Sequence, residues 1–442
     1  MRKFLVGMVA LVAAVALALP TFAVEFKYGG MYLWRFMAQD NMSDANSDLD
    51  DTSNRIEQRL RMYFTFVGSE NLKLVTKWEA DTLWGLETGG RHGGGDIGAD
   101  ATNLEMKNVY LDFMIPNTPV RAKVGVQGLT MFDGWIFDDD ASIFALETTF
   151  DPIKVKVGYI AAQNIDTDDD DDFVGDDDEE DVDDWFLELK YAEGPLSAAA
   201  VLFYQYAHDA DWSWPNWDYP SEGGDVDKED NHLIDLGFSL DYKMDMAAFK
   251  ATFIKNFGSY DIAGTDEDED YDGWMVEAEA DFYMGAFTFT LGGFWTSDDF
   301  AYPKGRSHYW AEIAGVGTLD VDVNGYDWCE GGVENRGDYV LGESPRNIWT
   351  IHAGAAWQAL DTTKVTFNYY YIGTDDDVLA NEATGEYDDS IGHELDLYID
   401  QKVVDGLTLR LVGAYLIGDD ALSTNDDDDN VYEVGARLLW KF

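Results

Sequence analysis

Apolar and polar residues alternate through most of this chain in short segments, the period of a strand whose side chains point to opposite faces in turn. In the last segment, Tyr432, Val434, Ala436, Leu438, Trp440 and Phe442 form one apolar, aromatic-rich face, while Glu433, Gly435, Arg437 and Lys441 lie on the other and Leu439 is the apolar exception. The pattern repeats in Val120, Ala122, Val124 and Val126 against Arg121, Lys123, Gly125 and Gln127, and again in Ile153, Val155, Val157 and Tyr159 against Lys154, Lys156 and Gly158. The segments run for about 9 to 13 residues, close to the roughly 9 to 11 a tilted strand needs to cross a bilayer.

Short turns and long loops separate the segments in strict alternation. The short turns fall at 68–71, 115–119, 151–152, 193–195, 243–245, 284–285, 360–363 and 403–406. The long loops lie near 38–54, 84–103, 129–141, 162–184, 208–231, 259–272, 298–346, 372–391 and 418–430. Eight turns interleaved with nine loops predict about 18 antiparallel strands with both termini on the short-turn side. The segments near 104–114 and 407–417 are apolar on both faces in places, which leaves 16 strands as the alternative count.

Alternation alone does not say which face is dry. A soluble sandwich or propeller would turn the apolar face inward and the other face to water. In a soluble barrel the apolar face likewise points inward, whereas here the other face repeatedly carries Arg, Lys, Glu and Asp, more charge than a soluble protein can bury when each unpaired one costs several kcal/mol. A barrel that is wet within and apolar without resolves the conflict. We therefore expect an all-β, transmembrane, up-and-down barrel over residues 24–442, with short turns on one side and long acidic loops on the other.

Composition narrows the class further. The chain has 442 residues, with Asp+Glu 87 against Lys+Arg 29 and a formal net charge of -58. That imbalance suggests disorder only in a chain poor in apolar residues, and this one is 46% hydrophobic and 14% aromatic. The acidity argues against a nucleic-acid partner, whose phosphates are bound by basic surfaces. The lone Cys329 forms no intramolecular disulfide and excludes covalent c-type haem. At the other end, Met1-Arg2-Lys3, the uncharged run Phe4 to Leu19 and Thr21-Phe22-Ala23 read as an export signal over residues 1–23 with cleavage after Ala23.

Candidate chemistry lies on the wet faces and in the loops. Arg55, Arg59, Arg61, Lys73, Lys77, Arg121, Lys123, Lys154 and Lys156 fall on early strands, and Glu277, Glu279, Asp281, Glu394, Asp396 and Asp400 on late ones. A basic wall facing an acidic wall would set up a transverse field across the lumen; the alternative is local pairing with Glu57, Glu79 and Asp81. Dense carboxylates in the loops favour cations at the mouth, or hold divalent ions such as Ca2+ or Mg2+ that bridge to lipopolysaccharide. Met131, Phe132, Trp135 and Phe137, followed by Asp138, Asp139 and Asp140, are candidates for a constriction folded inward. Asp268, Asp270, Asp272, Gly273 and Glu279 match a calcium-loop spacing, but strand alternation from Trp274 puts Glu279 too far from Asp272 for one ion, leaving a looser loop site. Trp212, Trp214, Trp217 and Tyr219, with Tyr302, His308, Tyr309, Trp310, Tyr326 and Trp328, could stack sugar rings or pack the loops. The six His residues are scattered, and only His352 sits well inside a predicted strand, so no catalytic constellation stands out.

The closing strand, ending on Phe442, resembles the last strand of bacterial outer-membrane barrels, where the terminal Phe implies recognition by the barrel-insertion machinery. The stretch Arg55-Ile56-Glu57-Gln58-Arg59-Leu60-Arg61-Met62-Tyr63-Phe64, then Asn71 to Glu79 and Trp84-Gly85, resembles outer-membrane porins of anaerobic Gram-negative bacteria. The chain is also similar to alginate-export-like barrels of about 18 strands. The resemblance implies a non-enzymatic passive diffusion channel in the outer membrane, commonly a homotrimer. Polyuronate export relies on a basic pore, which this acidic chain does not match. Alternatives are a substrate-specific carbohydrate channel, and a non-conducting barrel serving as sheath for a partner cytochrome or as an adhesin.

Overall fold

The computed structural model describes residues 24–42, 52–86, 94–98, 102–163, 182–207, 228–262, 268–303, 310–315, 317–319, 341–342, 345–381, 384–422 and 430–442. The proposed signal segment lies outside them. The strands are β1 (Glu25–Asp40), β2 (Ser53–Ser69), β3 (Leu72–Leu83), β4 (Glu105–Met114), β5 (Arg121–Met131), β6 (Phe137–Phe150), β7 (Ile153–Gln163), β8 (Val182–Glu193), β9 (Leu196–Ala207) and β10 (Lys228–Lys243). They continue as β11 (Ala247–Ile262), β12 (Asp268–Asp270), β13 (Trp274–Met284), β14 (Phe287–Thr296), β15 (Ile348–Leu360), β16 (Thr363–Asn381), β17 (Glu386–Val404), β18 (Leu407–Gly418) and β19 (Val431–Lys441). β12 is a three-residue flap paired with the end of β11, at Ser259 to Asp261. The other 18 strands each pair antiparallel with their chain neighbours, and β1 pairs with β19 to close the barrel.

Closure removes every open edge, the condition for a sheet to stand in lipid with its backbone satisfied. The seam extends to the last residue, where Gly30 N–H donates to the Phe442 carbonyl (2.9 Å) and Phe442 N–H to the Gly30 carbonyl (3.1 Å). A Cβ at Gly30 would stand 2.6 Å from the Phe442 ring and 2.5 Å from the Arg61 carbonyl. The absent side chain is what lets the terminal ring lie against the seam.

The two faces of the wall confirm the inside-out arrangement. Phe66, Leu111, Val124, Phe144, Val157, Leu202, Phe253, Phe289, Trp357, Leu397, Val434 and Trp440 are all exposed on the outer surface. A soluble monomer does not present so large a continuous apolar surface. Arg35, Glu57, Arg59, Glu79, Asp81, Glu277, Glu394, Asp396 and Glu433 are buried on the inner face.

All eight short turns fall where the alternation predicts them, and the strand count is 18. The long-loop boundaries differ most in three places, one being the expected loop 259–272, where Ser259 to Asp261 pair with Asp268 to Asp270 of β12. The expected loop 372–391 is largely hairpin, because β16 and β17 run 19 residues each. The expected loop 129–141 is mostly ladder: Gly128, Leu129, Thr130 and Met131 pair with Asp140, Asp139, Asp138 and Phe137, leaving only residues 132–136 as a tip.

Candidate functional site in the barrel lumen

Local geometry directs the β5–β6 tip into the lumen. β4 pairs with β5 only as far as Val126, so the rest of the hairpin is released from its neighbour and leans inward. The tip turns through a single 3-10 turn, Phe132–Gly134, in which Phe132 and Asp133 both have φ of 53°. Such left-handed backbone is costly for a bulky residue and persists only when its surroundings hold it. They do so here: Trp135 Nε1 donates to Glu277 Oε2 on β13 (3.1 Å), and its ring meets Phe294 of β14 at 5.1 Å. Phe137 stacks on Phe203 of β9 at 6.0 Å, and Asp133 pairs with Lys250 of β11 at 2.7 Å. The hairpin thus reaches from its own strands to the opposite wall.

A second segment enters from the β14–β15 connection. Glu394 accepts the Ile313 N–H at Oε1 (2.6 Å) and the Ala314 N–H at Oε2 (2.8 Å), and Asp396 accepts the Glu312 N–H (3.3 Å). Glu312 closes the segment on itself by accepting the Thr318 and Leu319 N–H groups, each at 2.9 Å. Arg35 Nη1 donates to the Leu319 carbonyl (3.0 Å) and Arg437 Nη1 to the Thr318 carbonyl (3.3 Å). Leu319 packs with Met37, Tyr398 and Val412, in the space left by Gly435, where a Cβ would lie 2.4 Å from the leucine. Carboxylates satisfy backbone N–H groups on one side and guanidinium groups satisfy carbonyls on the other.

The two segments meet through aromatic rings. Phe294 lies between Trp135 and Trp310, each at 5.1 Å, and Trp310 reaches Tyr370 at 6.1 Å, which stacks on His352 at 4.5 Å. A cavity of about 350 Å³ lies beside this cluster, bounded by Asp133, Lys250, Glu277, Glu279, Thr350 and His352. A second, of about 290 Å³, lies toward the turn end and is bounded by Glu188, Lys190, Ser197 and Asp241. Asp133 and Lys250 line both.

Chain order is ring order, so β2 to β7 lie across the barrel from β13 to β17. Much of the basic set is paired locally: Arg59 with Asp81 (2.6 Å) and Glu79 (3.3 Å), Arg61 with Glu79, Lys77 with Asp140 (3.0 Å), Arg121 with Asp112, and Lys154 with Glu147 (3.0 Å). Lys156 lies over the Phe186 ring at 5.3 Å. Arg55, Lys73 and Lys123 lie on the same inner face of β2, β3 and β5. Of the acidic set, Asp400 forms a two-point pair with Arg410 (2.6 and 2.9 Å), and Glu394 and Asp396 anchor the inserted segment instead of standing open to the lumen. Asp281 accepts from Thr290 (2.6 Å), and Glu277 serves Lys250 and Trp135.

Trp135 lies at the inserted β5–β6 tip, while Asp138, Asp139 and Asp140 belong to β6. Asp138 accepts from Thr130 (2.5 Å) and Asp140 from Lys77 and Asn108. Asp268 and Asp270 are exposed on β12, and the Asp272 carboxylate is taken by Lys255. His232 and His393 sit on strands, each bonded to a tyrosine, Tyr204 (2.7 Å) and Tyr369 (2.9 Å), rather than on loops. Residues 212–219, 308–309, 326 and 328 lie outside the described residues.

Solved structures share this architecture. The Acinetobacter baumannii OccAB4 structure matches with a TM-score of 0.56 at 11% identity over 96% of this chain and 99% of that one. Pseudomonas aeruginosa OccK11 (OpdR) matches at 0.55 and 11% over 94% and 96%, and the P. aeruginosa outer membrane protein opdK at 0.55 and 11% over 95% and 98%. The chain has the fold of the outer-membrane porins. No family model and no curated protein matches it. At such identities the likeness carries the barrel, its strand number and its span, and the lining must be read from this chain's own residues.

The inserted segment was not expected from the alternation of side chains. Its signal was the run Ile313-Ala314-Gly315-Val316 within a polar connection, too short for a spanning strand and too apolar for a solvated loop.

Proposed function

We propose that this protein is an outer-membrane channel that passes small hydrophilic solutes and ions, prefers cations, and is narrowed by the β5–β6 tip and the 310–319 segment. The observation that carries this reading is the pair of polar cavities on either side of Asp133 and Lys250, joined through those two residues. The loop-end carboxylates raise cation concentration at the mouth, and the inner acidic residues of β13 face the constriction. The partners of such a channel are outer-membrane lipid and lipopolysaccharide, the insertion machinery that reads Phe442, and two further copies of the chain in a trimer. Single-channel recording of refolded protein under a potassium chloride gradient tests it: steady current with a reversal potential favouring potassium supports the reading, and a folded barrel without current rejects it. A specific observation also favours the non-conducting alternative, since two segments enter the lumen and are tied to its wall, one at Glu277 and Lys250 and the other at Glu394 and Arg35.

A further inference from the structure

The cavity beside the aromatic cluster has a charge imbalance that its walls do not correct. Three carboxylates, Asp133, Glu277 and Glu279, line it against the single Lys250. Lys250 serves two of them, Asp133 at 2.7 Å and Glu277 at 3.0 Å, and Glu277 also takes the Trp135 N–H. Glu279 has no ion pair or hydrogen bond among the described residues, although it is half-buried. A second, independent feature points the same way. The Thr350 hydroxyl, on a residue only 4% exposed that lines the cavity, has no hydrogen-bond partner among the described residues. An unfilled hydroxyl on β15 and an unpaired carboxylate on β13, two strands apart across the side-chain-free Gly292 and Gly293 of β14, ask for one donor that is also a cation.

His352 stands on one side, and the remaining walls are apolar or aromatic. Phe294, Trp310 and Tyr370 face the same space. A bare metal ion would find too few oxygens here, since hard cations take six or more oxygen ligands. An anion would meet Glu279. We propose that this cavity is a subsite for a primary ammonium carried on a short apolar chain, its N–H groups donating to the Glu279 carboxylate and the Thr350 hydroxyl and its chain lying against Phe294 and Trp310. The subsite rests on the channel reading for its purpose, and it names the solute class that the constriction selects. Asp133 comes from the β5–β6 tip and Trp310 from the β14–β15 connection, so the subsite exists only while both inserted segments are seated.

The test uses the full-length folded barrel and n-butylammonium chloride as probe. Saturation-transfer NMR in detergent micelles reads binding, and block of single-channel potassium current reads occupancy in the pore. We expect transfer to the butylammonium chain and concentration-dependent block, with neither seen for butyrate or n-butanol. Glu279→Gln should weaken binding by at least about tenfold, the effect of one charge-assisted hydrogen bond. Thr350→Val should weaken it several-fold while leaving the charge, so loss in both variants at unchanged barrel folding supports the site. Equal binding by wild type and Glu279→Gln, or equal response to butylammonium and butanol, overturns it. Glu279-dependent binding in a barrel that passes no current would leave the subsite standing and sink the channel reading; potassium-selective current without butylammonium binding would do the reverse.

Discussion

The seat of the 310–319 segment depends on one side chain more than any other. Glu394 is fully buried and accepts two backbone N–H groups, from Ile313 at 2.6 Å and Ala314 at 2.8 Å. Replacing it by alanine leaves both N–H groups without an acceptor, in a place water does not reach while the segment is seated. Each such loss costs about 1–3 kcal/mol, so Glu394→Ala should weaken the seat by about 2–6 kcal/mol. At about 1.4 kcal/mol per factor of ten, even the lower figure shifts the seated-to-unseated ratio by more than tenfold. Glu394→Gln keeps one acceptor oxygen and should fall between. The assay is single-channel conductance in planar bilayers: Glu394→Ala should show larger unitary conductance or frequent excursions to a larger level, and Glu394→Gln a weaker form of the same change. Identical conductance and noise in wild type and Glu394→Ala, with the barrel folded, would show that the segment does not occlude the path.

Three further outcomes follow from particular contacts. Gly30→Val should force the Phe442 ring and the Arg61 carbonyl away from the seam and lower the yield of folded, heat-modifiable barrel on gels, as should deletion of Phe442; normal yield in both would mean the seam closes without them. Lys250→Met should leave Asp133 and Glu277 without their shared cation, and the potassium-to-chloride permeability ratio from reversal potentials should rise; a fall would refute the assigned balance of the constriction. Asp299, in the connection after β14, is pushed above the ordinary aspartate range by burial and by Asp298 and Asp272. A carboxyl raised in the folded state opposes folding at neutral pH and is relieved as pH falls through its raised pKa, so Asp299→Asn should raise the thermal midpoint at pH 7 and lose that advantage under acid; a constant difference across pH would contradict this.

The alternation of side chains made the wall legible because lipid contact makes the period obligatory: every second residue of each crossing must be apolar, and the turns lie wherever the period breaks. The period faded where lipid no longer imposes it. β16 and β17 continue past the apolar belt through Thr374 to Asp377 and Glu386 to Asp389, where both faces are polar, so they read as loop. Asp138 to Asp140 read as loop for the same reason, although they form a ladder with Gly128 to Thr130. Burial of Trp135 was readable as an aromatic tip between two acidic or apolar stretches. The role of Glu394 and Asp396 was not, because their partners Glu312, Ile313 and Ala314 are some 80 residues away in sequence and no local pattern marks such a contact. The local pairs Arg59–Asp81 and Arg410–Asp400 likewise follow from register between neighbouring strands, which no pattern within a single strand marks.

The deciding experiment is the single-channel current of refolded protein under a potassium chloride gradient, recorded alongside Glu394→Ala. We expect a small, steady, potassium-preferring conductance in the wild type and a larger one in the variant. A folded wild-type barrel that passes no current, with a variant equally silent, would contradict that expectation.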